Sequence, residues 1–474
     1  MEASERIATD ICVIGGGPAG STIAHRLASF GHKVCLVESH AFPRSHIGAS
    51  LPPSILPLLE SIGARDCVER AGFPRSERIV VWWSEAVPTI KNQPGTPGFH
   101  VDRGQFDQLL LEHAKNNGVR VLQPAHALPP ERLSYGEWKI RLHHNGARKE
   151  LTSKIVVDAS GGRNLLPGRR IRRSEPLLAL YAHWKCAKGP EIDACVEAGE
   201  NEWFWCAPLG RERAIAAVFI DPKQLSETIR QGIEIIYRQL VRRFRLFPHD
   251  QLDGIVGEVK ACDASCRYSE NAVGPDFVRV GDANLSLDPL SSQGVLSAMA
   301  SGLQAAVVVN TFVRRPGNTD IAIAFYLARQ EENLRRHAAK TANFYEERST
   351  VCDQPFWRRR AVAANDPKVT IFENKMPDDR YQIQLSNTVR INSAPIIKED
   401  MIVSAPTLYH DSLDRPVAFV GGVEIVPLLN QIRTGQTIQA VIQTWSQRLP
   451  IEICHEIMHW LWRRKIVAPM YDIG

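Results

Sequence analysis

The stretch DICVIGGGPAGSTIAHRLASFGHKVCLVES, residues 10–39, decides the fold. Residues 10–14 are a short apolar run of strand-forming residues, the glycines after them break it, STIAHRLASFG takes helical spacing, and KVCLVES is a second apolar run. Strand, glycine turn, helix and strand within about 30 residues make a βαβ unit and imply a parallel sheet. Gly15, Gly17 and Gly20 give GxGxxG, with Ala19 inside it, directly after the strand and at the opening of the helix. There, bare backbone N–H groups and the helix dipole hold a pyrophosphate. Glu38 ends the second strand, where an acid accepts hydrogen bonds from an adenosine ribose. A glycine-rich turn followed by a chance acid would give the same letters, so the rest of the chain has to decide.

The remaining pattern sets the bounds. A chain of 474 residues is too long for one ordinary core, and two or three domains are expected. With 44% hydrophobic residues, 23% charged residues and a net charge of +5, it reads as a globular enzyme without a basic or acidic tail, and nucleic acid is not implied. The N-terminus carries Glu2 and Glu5 and reads as neither a signal nor a transit peptide. No window is expected to approach the roughly 18 apolar residues that cross a bilayer, so no membrane partner and a cytoplasmic location are expected. The ten cysteines are scattered; Cys262 and Cys266 lack CxxC spacing, and all are read as reduced.

Further along, a helix around Phe106–Ala114 and a strand at Lys154–Ala159 extend the first domain. Alternating runs such as LALYAHWKC, EWFWCAP and RAIAAVFI, between about 175 and 270, predict an antiparallel sheet. FVRVGDAN returns to the first pattern, and a helix is predicted over Ile321–Glu347 behind a cap at Thr319. A polar segment with Pro355, Arg358, Arg359 and Arg360 then leads into short strands and two amphipathic helices near Thr437–Gln447 and Pro450–Arg464. The expected architecture is α/β: a Rossmann-like dinucleotide-binding domain (1–174 and 272–347), which the resemblance described next makes FAD-binding, an antiparallel-sheet substrate domain (175–271), and a small α+β winged-helix-like C-terminal domain (350–474).

Together with the glycine turn, three stretches resemble the aromatic-hydroxylase class of flavoprotein monooxygenases and the flavin-dependent halogenases built on the same framework. Val101-Asp102-Arg103 with Phe106, Asp107 and Leu110 is similar to the segment whose arginine lies near the flavin ribityl or phosphate groups. Val157-Asp158-Ala159-Ser160-Gly161 resembles the DG motif, and Val280-Gly281-Asp282-Ala283 the GD motif, whose aspartate binds the ribityl chain. The resemblance implies FAD as cofactor, NAD(P)H as reductant, and Arg44, Arg103, Asp158 and Asp282 beside the cofactor. It also implies that Ser292, Gln293 and Gly294, in the turn DPLSSQG, face the flavin ring, where backbone N–H groups stabilise developing negative charge.

Two further segments resemble halogenases: RSHIGASLP, residues 44–52, and Trp203-Phe204-Trp205-Cys206-Ala207-Pro208, which makes Trp203 and Trp205 candidates for the substrate pocket. Halogenases also use a lysine, whose position here falls on Ser76; no lysine occurs between Lys33 and Lys91. The resemblance therefore implies hydroxylation of an aromatic ring through a flavin hydroperoxide, with no general base assigned. Halogenation or hydroxylation of a small aromatic molecule is the alternative, and a non-catalytic FAD-binding maturation scaffold is another. The C-terminal region resembles that of FAD monooxygenases of tryptophylquinone biogenesis, which would make the substrate a tryptophan of a partner polypeptide held with help of that domain.

Two patterns carry less. His455-Glu456-Ile457-Met458-His459 is an HExxH, but Lys465 stands where a third ligand would fall, and no metal is expected. Arg169, Arg170, Arg172 and Arg173 form a basic run, either a solvated loop or a surface for an acidic partner.

Overall fold

The computed structural model describes residues 5–93, 95–134, 136–187, 193–226, 232–361 and 376–470. The chain divides into two compact units, residues 1–319 with 326–366, and residues 320–325 with 367–474. The first unit runs past the boundary expected near 350 because the helix Pro355–Arg360 buries Phe356 and Trp357 in that unit's core.

The first unit holds the βαβ unit in the expected place. Glu5–Ile14 pairs in parallel with Val34–Val37 on one side and with Ala147–Asp158 on the other, and Arg120–Leu122 continues the parallel set. Phe277–Arg279 then pairs in parallel with the end of Ala147–Asp158, so the strand after residue 276 closes back onto this sheet. All four residues of Val34–Val37 are buried, as a parallel strand covered on both faces requires. Helices Pro18–Ser29 and Arg103–Asn116 make the crossovers. The second of these is capped by Asp102, whose carboxylate accepts the N–H of Gly104 at 2.8 Å.

Against helix Pro18–Ser29 packs helix Gly294–Arg314. This corrects the expectation that no window reaches membrane-spanning length: the helix is 21 residues long and its mean hydropathy is 1.5. The physical reason for its apolarity is that 67% of that window is buried inside the unit.

The second sheet has seven strands in the order Leu252–Asp263, Leu178–Cys186, Arg213–Ile220, Glu202–Pro208, Ala194–Ala198, Arg78–Trp82 and Thr89–Asn92. Alternation splits its side chains by face. Phe204 and Cys206 join the core under helix Ile233–Val241, while Trp203, Trp205 and Phe219 join the opposite core with Trp83, Tyr345 and Trp357. The long helix spans Thr319–Ser349, and its N-cap position is Asn318, not Thr319.

The second unit contains the hairpin Arg390–Lys398 and Met401–Tyr409, a three-stranded sheet centred on Gln382–Leu385, and helices Ile438–Ser446 and Ile451–Arg463. Thr437 caps the first of these helices through the N–H of Ala440, at 3.2 Å. Cys454, Ile457, Met458 and Leu461 point inward from the second, leaving His455, Glu456 and His459 on its exposed side.

Candidate active site

Three glycines set the floor of the site. Gly15 has φ +111°, and a Cβ there would lie 2.3 Å from the carbonyl oxygen of Ala159. At Gly20 a Cβ would sit 1.9 Å from the carbonyl oxygen of Gly15, so the helix starts this close to the strand only without a side chain. Gly17 differs, since a Cβ there meets only the Arg44 guanidinium, at 3.3 Å. Its constraint comes from what lies over the turn, not from the protein beneath it.

Glu38 is 4% exposed and its carboxylate accepts the N–H of Gly16 at 2.6 Å and of His40 at 2.8 Å. Arg103 grips Asp107 with two N–H groups at 2.9 and 3.0 Å and donates a third hydrogen bond to Ile47 O at 2.9 Å. Arg44 also reaches Asp107, at 3.3 Å, and its Nε is buried without a partner. These side chains face one cavity of about 450 Å³, the size range of a ligand site.

The cavity starts at Gly15, Gly17, Ala19 and Glu38, passes Arg44, Arg103 and Asp282, and ends against Trp203, Trp205 and Phe219. Ser292 and Gly294 are on its wall; Gln293, although in the same turn, is not. Nor are Gly20, which serves helix packing, and Asp158, which is fully buried. Asp158 accepts hydrogen bonds from Ser160 Oγ at 2.6 Å and from Leu166 N at 3.1 Å, and Arg279 stands 3.9 Å away. The structure thus places Asp158 under the loop that lines the cavity, where it fixes Ser160 and Leu166 and does not itself reach the wall.

Asp282 is exposed only toward the cavity. Protein on its other sides strips water from the carboxyl and raises its pKa from the ordinary value, while Arg103 and Arg170 pull it back. His46, also on the wall, is pushed down to about 4 by burial and by Arg103, and its Nδ1 lies 2.7 Å from Ile47 O. Burial thus favours its neutral, hydrogen-bonding form.

The turn before Gly294 is clamped from behind by residues the sequence reading did not single out. Asp288 accepts Leu290 N at 3.0 Å and the Tyr345 hydroxyl at 3.0 Å, and the ring of His337 lies 3.1 Å from both Ser291 Oγ and Asp288 O. Burial pushes Asp288 up to about 6 and His337 down to about 4. Ser292 follows at φ +53°, a conformation that costs a non-glycine residue about 1 kcal/mol or more. The available signal was the spacing His337, Thr341, Tyr345, which puts polar groups on one face of a helix.

At the far end, Trp203 stacks on Phe219 with ring centroids 3.7 Å apart and planes at 11°. Trp83 meets both Trp203 and Trp357 edge to face. Ser76, at the halogenase lysine position, is 3% exposed, lies in the short strand Arg75–Ser76, and is absent from the cavity wall. Among the described residues, none that lines the cavity is a lysine.

A flavin nucleotide fits these residues: a turn that a Cβ would obstruct, an acid at the ribose position, arginines at the middle, and an aspartate turned into the cavity. Comparison with known proteins agrees. Residues 8–167 match the FAD-binding domain family, so the class is that of FAD-binding flavoenzymes. A tryptophan 2-halogenase of Chondromyces crocatus is 31% identical over 408 residues, covering 81% of this chain and 77% of the relative. The 1H-pyrrole-2-carbonyl-[peptidyl-carrier protein] chlorinase of Pseudomonas fluorescens is 28% identical over 380 residues, covering 71% of this chain and 82% of its own. The solved structure of the peptidyl tryptophan dihydroxylase QhpG, essential for tryptophylquinone cofactor biogenesis, superposes with a TM-score of 0.75 at 25% identity, over 96% of this chain and 99% of that one. The chain belongs to the flavin-dependent halogenase family.

Proposed function

We propose that the protein hydroxylates an electron-rich aromatic ring, most simply an indole, presented by a partner polypeptide. The observation that carries hydroxylation is a cavity running from the dinucleotide turn to the Trp203–Phe219 wall with no lysine among its described lining residues. An ammonium is the group that would hold and orient a hypohalous species, and Ser76 brings none. The names of the relatives favour the alternative, halogenation of an aromatic compound, and that second reading stands on those names. For the polypeptide substrate the support is QhpG, whose coverage extends over the C-terminal unit, and a relative whose substrate is borne on a carrier protein.

FAD, when bound, supplies the electrons and the activation of dioxygen, with NAD(P)H proposed as the reductant. The residues of the chain then have four tasks. N–H groups at the Gly15–Gly17 turn hold the pyrophosphate, assisted by the start of helix Pro18–Ser29. Glu38 and Asp282 accept hydrogen bonds from ribose and ribityl hydroxyls, and Arg44 and Arg103 neutralise phosphate charge. Gly294 offers a backbone N–H group on the wall, in a turn made rigid by Asp288, Tyr345 and His337 and by the Ser292 N–H, which donates to Pro289 O at 2.9 Å. Trp203, Trp205 and Phe219 exclude water and give a flat surface for the ring. No proton abstraction is assigned, because an indole carbon is nucleophilic enough to react without one.

The test is turnover of holoenzyme with NAD(P)H, a tryptophan-containing polypeptide and bromide, followed by product mass. Gain of oxygen without bromine is expected; bromine in place of oxygen supports the second reading and overturns the first.

A further inference from the structure

We propose that the arginine-bearing strand at the cavity rim docks an acidic segment of the polypeptide that carries the substrate ring. Strand Arg170–Arg172 pairs antiparallel with Arg267–Ser269, which places Arg172 directly opposite Arg267. Like charges facing each other across strands are destabilising; Asp263 neutralises Arg267 at 2.7 Å, which leaves Arg172 as the member of the pair open to an outside anion. Arg170 and Arg172 share one face of the strand. Arg170 points toward the cavity: its guanidinium donates to Asp282 O at 2.8 Å and to Gly162 O at 3.3 Å. Arg172 therefore stands one step further out on that same face, exposed to solvent.

The flanking segments confirm the location, since Gly162, Arg163, Asp263, Ser265 and Ser286 all line the cavity. Arg163, Arg169, Arg172 and Arg173 are exposed, and among the described residues none of them forms an ion pair with a carboxylate. The local acids are fewer and partly committed. Asp263 holds Arg267 at 2.7 Å, Glu175 is 4.0 Å from Arg359, and Glu270 lies beside Arg169 across the strand pair. Asp282 and Asp158 act on Arg170, so the positive charge of the rim rests on the exposed Arg163, Arg169, Arg172 and Arg173.

The spacing favours a peptide. Residues two apart along a strand are about 7 Å apart, so successive guanidinium forks suit separate carboxylates, whereas a phosphate group would draw them to one point. The strand also lies at the edge of its three-stranded sheet, the position at which an extended segment adds to a sheet.

This proposal rests on the reading that the substrate is a polypeptide, and its test separates the two. The probe is a synthetic peptide with one tryptophan flanked by glutamates, beside a version with glutamines, titrated into holoenzyme by fluorescence anisotropy at low and high salt. The glutamate peptide is expected to bind more tightly, and to weaken with salt. Arg172→Glu with Arg173→Glu should raise its Kd about tenfold, as expected from losing two exposed pairs and adding repulsion, while flavin content stays unchanged. Arg172→Gln with Arg173→Gln, a milder pair, should move Kd the same way by less. Equal binding of the two peptides overturns the proposal, as does a charge reversal that raises the KM for NADPH and leaves peptide binding intact. Acid-dependent binding of a peptide that is never oxidised defeats the substrate reading and leaves the surface standing. Oxidation of the glutamate peptide at unchanged efficiency after charge reversal does the opposite.

Discussion

The two ends of the cavity are built by different means. The nucleotide end is made of backbone: Gly15, Gly17 and Gly20 fall within six residues, and what matters is the side chains they lack. The aromatic end is made of side chains, Trp203, Trp205 and Phe219 on two strands, backed by Trp83 from a bend and Tyr345 and Trp357 from two helices in the same core. The nucleotide end is thus a local property of the chain and the aromatic end a tertiary one. That division explains how one framework keeps FAD while its members act on different rings.

The largest effect should come from Gly20→Val. Its Cβ would overlap a backbone oxygen that cannot move without shifting the strand, so a loss of about 3 kcal/mol or more and complete loss of flavin are expected, read from the melting temperature and the visible spectrum. Gly17→Val sharpens the contrast. With only a movable arginine end at 3.3 Å, the protein should fold and melt almost normally yet emerge from gel filtration without yellow colour. A Gly17→Val protein that retains its flavin would move the pyrophosphate elsewhere.

Trp203→Ala should do the reverse at the other end. Removing a 2% exposed ring stacked on Phe219 is expected to cost about 3–4 kcal/mol, while Trp203→Phe keeps flavin content normal and changes KM for the aromatic substrate. If Trp203→Phe instead lost FAD and left KM alone, the two ends would not be separable as described.

The smallest effect concerns the clamp between them. Asp288 has its pKa raised from 3.8 to about 6 by burial. An acid raised in the folded state stabilises the fold fully below its unfolded value, and that contribution disappears as pH rises through the folded value. Stability should therefore fall between about pH 4 and pH 6 by up to about 3 kcal/mol from this group, and Asp288→Asn should flatten that part of the profile. Tyr345→Phe removes a donor to the carboxylate and should steepen it, at a cost of about 1–2 kcal/mol near neutral pH. Denaturant midpoints across this range provide the measurement; identical slopes in the wild type and both variants would remove Asp288 from the account.

How much of this was legible in the sequence follows the same division. Gly15, Gly17 and Glu38 stand where a turn and a strand end put them, because phosphate binding at a helix start depends on a few consecutive backbone groups. Asp158 matched its motif by letters, yet the structure turns it inward, since a sequence pattern does not say which side of a loop a carboxylate serves. Trp203 and Trp205 were marked by resemblance to a halogenase segment, but Trp83 and Trp357, which pack in the core behind them, were not, because nothing local ties them to that wall. His337 and Tyr345 lay in a helix that was predicted for its length, and their partner Asp288 is about fifty residues away in the chain. Pairings of that kind have no local signature.

We propose that this cavity, with no lysine among its described lining residues, delivers oxygen and not halogen to an aromatic ring. The most direct test is a single turnover of reduced holoenzyme under ¹⁸O₂ with saturating bromide and a tryptophan-containing peptide, with the product weighed by mass spectrometry. The account predicts a product carrying ¹⁸O and no bromine; a brominated product without ¹⁸O would contradict it.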